Sequence, residues 1–221
     1  MNHCDPAELR EPYDGTPLCR VDLADHPMQQ FHIWFTQVHD SGLAEPNAMV
    51  LATVDPLGTP RTRTVLLKAY DRRGLCFFTN RHSPKGRAVL QNPQVSVTFP
   101  WHAAQRQVIV SGRAKPLSAE ENDAYFRSRP YGSQIAAWAS EHQSEPVTDR
   151  VELNERYARV AQRWPEGTEV PRPPYWGGFR IVCSEVEFWQ GGSNRMHDRF
   201  RYLLVAGNAV DGTWRVDRLS P

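Results

Sequence analysis

Val186-Glu-Phe-Trp-Gln-Gly-Gly-Ser-Asn-Arg-Met-His-Asp-Arg-Phe200 is the stretch from which the architecture of this chain reads. An apolar-aromatic run, Val186 to Trp189, meets Gly191-Gly192-Ser193-Asn194, and the chain resumes at Arg195. Glycine and asparagine accept the positive φ of tight turns, so the pattern predicts strand, turn, strand, an antiparallel unit. Side chains alternate along a strand, which is predicted to set Arg195, His197 and Arg199 on one face, about 7 Å apart. Two guanidiniums and an imidazole in a row suit a planar, anionic ligand; a solvated hairpin face is the alternative.

The rest of the chain supports an antiparallel reading. Ala48–Val54 is apolar throughout, Asp55-Pro-Leu-Gly58 reads as a turn, and Arg61–Tyr70 is β-branched and apolar. Asp71-Arg-Arg-Gly74 then turns the chain into Leu75–Thr79, so three strands in succession predict a meander. Further strands are expected at 94–101, 105–115, 179–183, 185–189, 196–205 and 213–218. Pro27 opens a helix with Met28, Phe31, Trp34, Phe35 and Val38 at helical spacing. Ser83-Pro84 marks a second helix start, Ser118-Ala-Glu-Glu121 is a capping box, and Ser133–Ser140 and Asp149–Trp164 read as two more helices. About nine short strands without βαβ alternation indicate an α+β fold on an antiparallel sheet or barrel. Residues 1–25, rich in Pro and Asp and lacking periodicity, read as a flexible arm, and 26–221 as one domain.

Composition narrows the function. At 221 residues, with a net charge of +1 and 23% charged residues, the chain lacks the positive field of a bulk nucleic-acid binder. No apolar run approaches the ~20 residues of a membrane span, and no signal-peptide core opens the chain, which predicts a cytoplasmic location. The four cysteines, Cys4, Cys19, Cys76 and Cys183, form no CxxC pair, and the eight histidines include no HExxH, so no metal is expected.

Cations recur beside small donors. Arg63 and Lys68 fall on opposite strand faces, so a shared site would need a bulge; an exposed basic strand is the alternative. Lys85 sits at a helix start, where free N–H groups attract phosphate. Gln105-Arg-Gln107 offers amides to a heterocycle edge, or simply a polar strand. Tyr125, Arg129 and Ser133, four apart across a helix break, could form a phosphate socket or an ordinary interhelical corner. With many anion-binding groups and no convincing nucleophile, a bound cofactor is expected to carry the chemistry.

Six ordered motifs carry a resemblance: RTVLLK (63–68), FFTN (77–80), FPWHAAQRQV (99–108), YFRSRPYGSQIAAWAS (125–140), WGGFR (176–180) and EFWQGGSNRMHDR (187–199). Together they resemble the pyridoxamine 5'-phosphate oxidase family, from about Glu45 to Pro221. The resemblance implies a homodimeric, antiparallel split β-barrel with peripheral helices, holding FMN at the subunit interface. It implies oxidation of pyridoxamine 5'-phosphate and pyridoxine 5'-phosphate by O2 to pyridoxal 5'-phosphate. Hydride would leave the substrate C4' carbon for the flavin, with hydrogen peroxide released, and ammonia from the amine. Carried over, FMN contacts fall on Arg63, Thr64, Val65, Leu66, Leu67, Lys68, Phe78, Thr79, Lys85, Gln107, Gln143, Ser144, Trp189 and Arg199. Substrate contacts fall on Lys68, Tyr125, Arg129, Ser133, Arg195 and His197, the last two being the catalytic pair.

Three positions depart from the family pattern: Pro84 stands where an arginine is usual, Phe78 replaces a tyrosine, and one extra residue lies near Glu141-His142. The alternatives are a split-barrel flavin oxidase acting on another aromatic in secondary metabolism and a non-catalytic binder of FMN or pyridoxal phosphate.

Overall fold

The computed structural model describes Asp5, Leu9, Pro12, Tyr13 and residues 16–221. The other residues of the expected arm, Cys4 among them, lie outside the described residues. Among the described residues, five α-helices are present: α1 (Pro27–Asp40), α2 (Pro84–Gln91), α3 (Ala119–Ser128), α4 (Tyr131–Ala139) and α5 (Arg150–Arg163). All but α4 follow the predicted starts, and α4 begins two residues before the expected Ser133 because the Pro130 carbonyl already accepts from Ser133 N–H. Nine strands form one sheet: β1 (Ala48–Val54), β2 (Pro60–Leu66), β3 (Ala69–Asp71), β4 (Gly74–Asn80), β5 (Gln94–Trp101), β6 (Arg106–Pro116), β7 (Trp176–Gln190), β8 (Asp198–Ala206) and β9 (Thr213–Leu219). The β1–β2, β3–β4, β4–β7, β7–β8 and β8–β9 ladders are all antiparallel, so the fold is α+β as expected.

The chain divides into two compact units. The first takes the described residues up to Pro46, with Thr98–Val110 and Ser184–Pro221. Here His26 caps α1, its Nδ1 accepting from Met28 N–H (3.1 Å) while Nε2 bonds the Ala209 carbonyl (2.8 Å). Those roles fix a neutral imidazole with the proton on Nε2. Met28, Phe31, Trp34 and Val38 recur on one helical face and are buried. Phe31 packs on Phe99 (5.0 Å), and Trp34 stands edge-on to Phe188 (5.2 Å), which meets Tyr202 (5.6 Å). Each such side chain contributes roughly 1.5–3 kcal/mol by leaving water. Leu18 and Leu23 are buried as well; Leu18 N–H donates to Asp198 (2.9 Å) and its carbonyl accepts from Arg218 (2.9 Å).

The second unit spans Asn47–Val97 and Ser111–Cys183. Its strand path departs from the expected meander. The run Arg61–Tyr70 is not one strand: β2 ends at Leu66 and β3 starts at Ala69. Leu67 N–H still bonds the Asn47 carbonyl beside β1 (2.8 Å), whereas Lys68 N–H bonds Cys76 O on β4 (2.9 Å). The chain thus exchanges one neighbour for another within two residues. In the order β2-β1-β5-β6-β7-β4-β3 these consecutive strands occupy opposite ends. Leu66 and Ala69 can be at most about 11 Å apart along the chain. A flat path of seven strands would separate its ends by about 29 Å. The sheet therefore curls until its ends meet, a split barrel. The strands expected at 179–183 and 185–189 are likewise one continuous β7, pairing through Trp176–Ile181 with β4 and through Glu185–Gln190 with β8.

Burial pushes the thiols of Cys76 and Cys183 up to about 11 and about 12, so both behave as small apolar side chains.

Candidate functional site

The corner between α3 and α4 builds a cation socket in the second unit. Ser118 and Glu121 close the capping box that starts α3. Pro130 cannot extend α3, and its carbonyl instead accepts from Ser133 N–H (2.9 Å) and Gln134 N–H (3.1 Å), starting α4. Gln134 ties the corner together by donating to the Arg129 carbonyl (2.9 Å). Tyr125, Arg129 and Ser133 consequently line one cavity of about 380 Å³, with Leu66, Lys68, Phe78 and Trp176. Lys68, which the resemblance joins to these three residues, lines the same cavity and follows the break between β2 and β3, whereas Arg63, whose sharing of a site with Lys68 would need a bulge, is not among its lining residues.

Arg129 lies against aromatic rings. Its guanidinium carbon lies 4.8 Å from the Trp176 ring centroid and 5.7 Å from that of Phe126. Its NH1 is buried without an acceptor among the described residues. Burial lowers its pKa, but an arginine stays charged. A buried cationic N–H without a partner is costly, and an anion in the adjoining cavity would relieve it. Burial raises the Tyr125 phenol, opposed by Arg129, so this side chain is a neutral hydroxyl donor at neutral pH.

A second cavity of about 290 Å³ shares Leu66, Lys68, Phe78, Arg129 and Trp176 and adds Val65, Thr79, Lys85 and Gln143. Ser83 caps α2 by accepting from Gly86 N–H (3.3 Å), with Pro84 at the first helical position. Lys85 Nζ donates to Gln143 Oε1 (3.1 Å) and Ser83 Oγ (3.4 Å), both neutral oxygens. Burial chiefly, and then repulsion from Arg63, lowers the Lys85 pKa. No carboxylate pairs with this ammonium among the described residues, so its environment fits a phosphate. Arg63 itself donates to Thr53 Oγ1 (2.8 Å) and Leu51 O (3.2 Å) across the β1–β2 ladder. Thr64 pairs with Val50 in that ladder, and Leu67 is buried in the core. Ser144, at φ +74°, borders a different cavity together with Gln143.

The remaining expected residues belong to the first unit, and there strict alternation does not hold. Ser193–Arg195 is a 3-10 turn, with Asn194 at φ 55° and Arg195 at φ 64°, and β8 begins only at Asp198. Arg195 and His197 are therefore turn residues, and Arg199 alone is on the strand. Gly192 permits this turn, since a Cβ there would stand 2.1 Å from the Met196 carbonyl oxygen. His197 Nδ1 accepts from Gly192 N–H (3.2 Å), leaving Nε2 as the donor. Its ring lies 4.6 Å from Trp189 and 5.5 Å from Tyr13. Arg195, His197, Ser193, Asn194 and Tyr13 line a cavity of about 610 Å³ with Leu9 and Pro12. Arg199 faces Trp189 across the β7–β8 ladder; Glu187 grips its guanidinium (2.8 and 3.2 Å) and raises its pKa. Gln107 lies on β6.

Sequence reasoning missed three residues. Trp176 lines both of the cavities that Lys68 and Arg129 share, although only its WGGFR motif signalled it. Tyr13 meets Trp189 (5.7 Å) and His197. Asn80 anchors the end of α4 by donating to Ser140 O (2.8 Å) and Glu141 O (2.7 Å). Among the described residues, no group of three or more His, Cys, Asp or Glu side chains could hold a metal ion, and no helix is long and apolar enough to cross a membrane.

Residues 35–164 match the family model for pyridoxamine 5'-phosphate oxidase, and residues 176–221 match that for the pyridoxine 5'-phosphate oxidase C-terminal dimerisation region. A pyridoxine/pyridoxamine 5'-phosphate oxidase of Thermobifida fusca is 64% identical over 100% of both chains. One from Streptomyces avermitilis is 50% identical over 98% of this chain and 96% of its own. Among solved structures, PhzG from Burkholderia lata 383, in complex with tetrahydrophenazine-1-carboxylic acid, superposes with a TM-score of 0.85 at 29% identity, covering 96% of this chain and 100% of that one. A pyridoxamine 5'-phosphate oxidase-related, FMN binding protein from Nostoc punctiforme gives 0.70 at 15% identity over 90% and 100%, a likeness of fold.

Proposed function

The chain belongs to the pyridoxamine 5'-phosphate oxidase family, and from that premise we propose that it oxidises pyridoxamine 5'-phosphate and pyridoxine 5'-phosphate to pyridoxal 5'-phosphate. The observation that carries the reading is the Arg129 guanidinium, whose NH1 is buried and unpaired beside a cavity also lined by Lys68, Tyr125 and Ser133. Two cations and two hydroxyls fit a phosphate monoester: charge is balanced and several oxygens gain donors. Arg195 and His197 are assigned to the pyridoxyl ring as orienting and hydrogen-bonding groups, with the His197 Nε2 proton as donor. Neither is assigned as an obligatory base.

The cofactor is a flavin, and we assign it as FMN. Lys85, a partly buried ammonium bonded only to neutral oxygens, suits the single phosphate of that molecule, with Gln143 beside it. Val65, Leu66, Phe78 and Thr79 line the same cavity; Gln107, Trp189, Arg199 and the remaining carried-over positions complete the assignment. The flavin, when bound, supplies the two-electron acceptor; O2 is proposed as the terminal acceptor, leaving as hydrogen peroxide. The protein holds phosphate and ring in a fixed orientation, which lowers the entropic part of the barrier. The match to a dimerisation region supports a homodimer.

The test is to purify the protein, record its visible spectrum, and add each pyridoxyl phosphate with FMN while following peroxide. Turnover of both substrates is expected. A yellow protein inert toward both would refute the proposal, and turnover of tetrahydrophenazine-1-carboxylic acid instead would favour a substrate like the molecule bound to the Burkholderia relative.

A further inference from the structure

The WGGFR motif has no role in the proposed reaction, yet its Trp176 lies against Arg129. Two arginines of the second unit, both bonded to residues of α3 or of Trp176's own segment, are held by oxygen atoms: Arg180 bonds Asp71 (3.1 Å) and Glu121 (3.0 Å), and Arg172 bonds Asp123 (2.6 Å) and the Trp176 carbonyl (2.9 Å). Arg129 instead lies against ring faces. We propose that Trp176 is a positioning residue for the substrate phosphate, holding the Arg129 guanidinium by its indole face so that the donors stay free for the ligand. This rests on the reading of the socket as a phosphate site.

Two observations support a built arrangement. The indole is fixed on both sides: Phe78 stacks on it at 5.1 Å and 14°, Phe126 meets it edge-on at 5.2 Å, and Phe78 stacks in turn on Tyr125 at 4.0 Å. The ladder Tyr125–Phe78–Trp176 thus joins a socket hydroxyl to the surface beneath the socket guanidinium. The ladder also requires the second glycine of the motif, because a Cβ at Gly178 would lie 2.7 Å from Phe78 Cε1. A carboxylate under Arg129 would hold it more strongly but would neutralise it and occupy its donors. A ring face fixes the cation and leaves its N–H groups unspent.

The experiment is a coupling cycle on flavin-loaded protein. It compares wild type, Trp176→Phe, Trp176→Leu, Arg129→Ala and Trp176→Leu with Arg129→Ala. The readouts are the calorimetric Kd for inorganic phosphate, and KM and kcat for pyridoxine 5'-phosphate. Trp176→Leu should raise Kd and KM about tenfold and Trp176→Phe about threefold, since tryptophan presents the best cation-binding face. kcat should change by less than about twofold, because the phosphate is held equally in ground and transition states. In the Arg129→Ala background the Trp176 change should add nothing. A shift of equal size in that background, or none in either background, would overturn the proposal. If the leucine variant does not fold, the same comparison made with Trp176→Phe decides between these outcomes. Wild-type protein that binds phosphate with this coupling but oxidises no pyridoxyl phosphate would sink the assigned reaction while leaving the Trp176–Arg129 relation standing.

Discussion

Lys85 Nζ lies 3.1 Å from Gln143 Oε1, so the first turn of α2 and the segment after α4 share one hydrogen bond beside a cavity. An ammonium this buried, with neutral partners only, is prepared for an anion that arrives later. Lys85→Ala should weaken FMN binding by about one to two powers of ten, the equivalent of a charge-assisted bond of roughly 1.5–3 kcal/mol. Titration with flavin fluorescence measures it; an unchanged Kd would remove Lys85 from the cofactor site.

Pro84 stands in the same turn where the family usually carries an arginine. Pro84→Arg should tighten FMN about tenfold or more, because it restores one charge-assisted contact. The helix tolerates the change, since the first position makes no intrahelical N–H bond. Equal or weaker affinity would mean that another group already fills that role.

The lowered pKa of Lys85 gives FMN binding a pH dependence. Burial favours the neutral amine, so the charge is lost below the ordinary lysine value of 10.5. FMN affinity should fall as pH rises through that lowered value, and Lys85→Arg should abolish the fall. The sign for the flavin-free protein is opposite. The unfolded chain binds more protons between the two pKa values, so the folding contribution of Lys85 improves as pH rises through that window. Affinity titrations and thermal melts across alkaline pH would reveal either trend.

Arg195→Leu combined with His197→Ala should reduce turnover at least about a hundredfold while FMN stays bound. Loss of flavin from the double variant would place these turn residues on the wrong ligand.

Gly74, at φ +128°, turns β3 into β4, and a Cβ there would lie 1.9 Å from the Ile181 carbonyl oxygen. Gly74→Ala should destabilise the fold by about 1–3 kcal/mol, as overpacking against backbone does. Urea denaturation would measure this, and an unchanged midpoint would contradict the close packing of β4 on β7.

Local chemistry carried much of the fold. Pro27, Ser83-Pro84, the Ser118–Glu121 box and Asp149 each mark a helix start, because capping is settled within a few residues. The break at Leu67–Lys68 was not legible: neither residue is a turn former, and the break arises because two different strands claim the backbone donors on either side. The same limit misled the reading of Arg195 and His197. Alternation assumes extended backbone, whereas Gly192 and Asn194 permit a turn over Ser193–Arg195 that leaves His197 short of the strand, which starts at Asp198.

The sequence by itself determined the element starts, the family motifs and the α3–α4 corner that groups Tyr125, Arg129 and Ser133, since these depend on spacing and short-range hydrogen bonding. Only the tertiary structure decided that Lys68 joins that corner, that Trp176 lies against Arg129, and that Lys85 and Arg129 lack acidic partners among the described residues while Arg180 and Arg199 have them. Whether a cation is already neutralised or still open to a ligand depends on which distant side chains the curled sheet brings within hydrogen-bond reach.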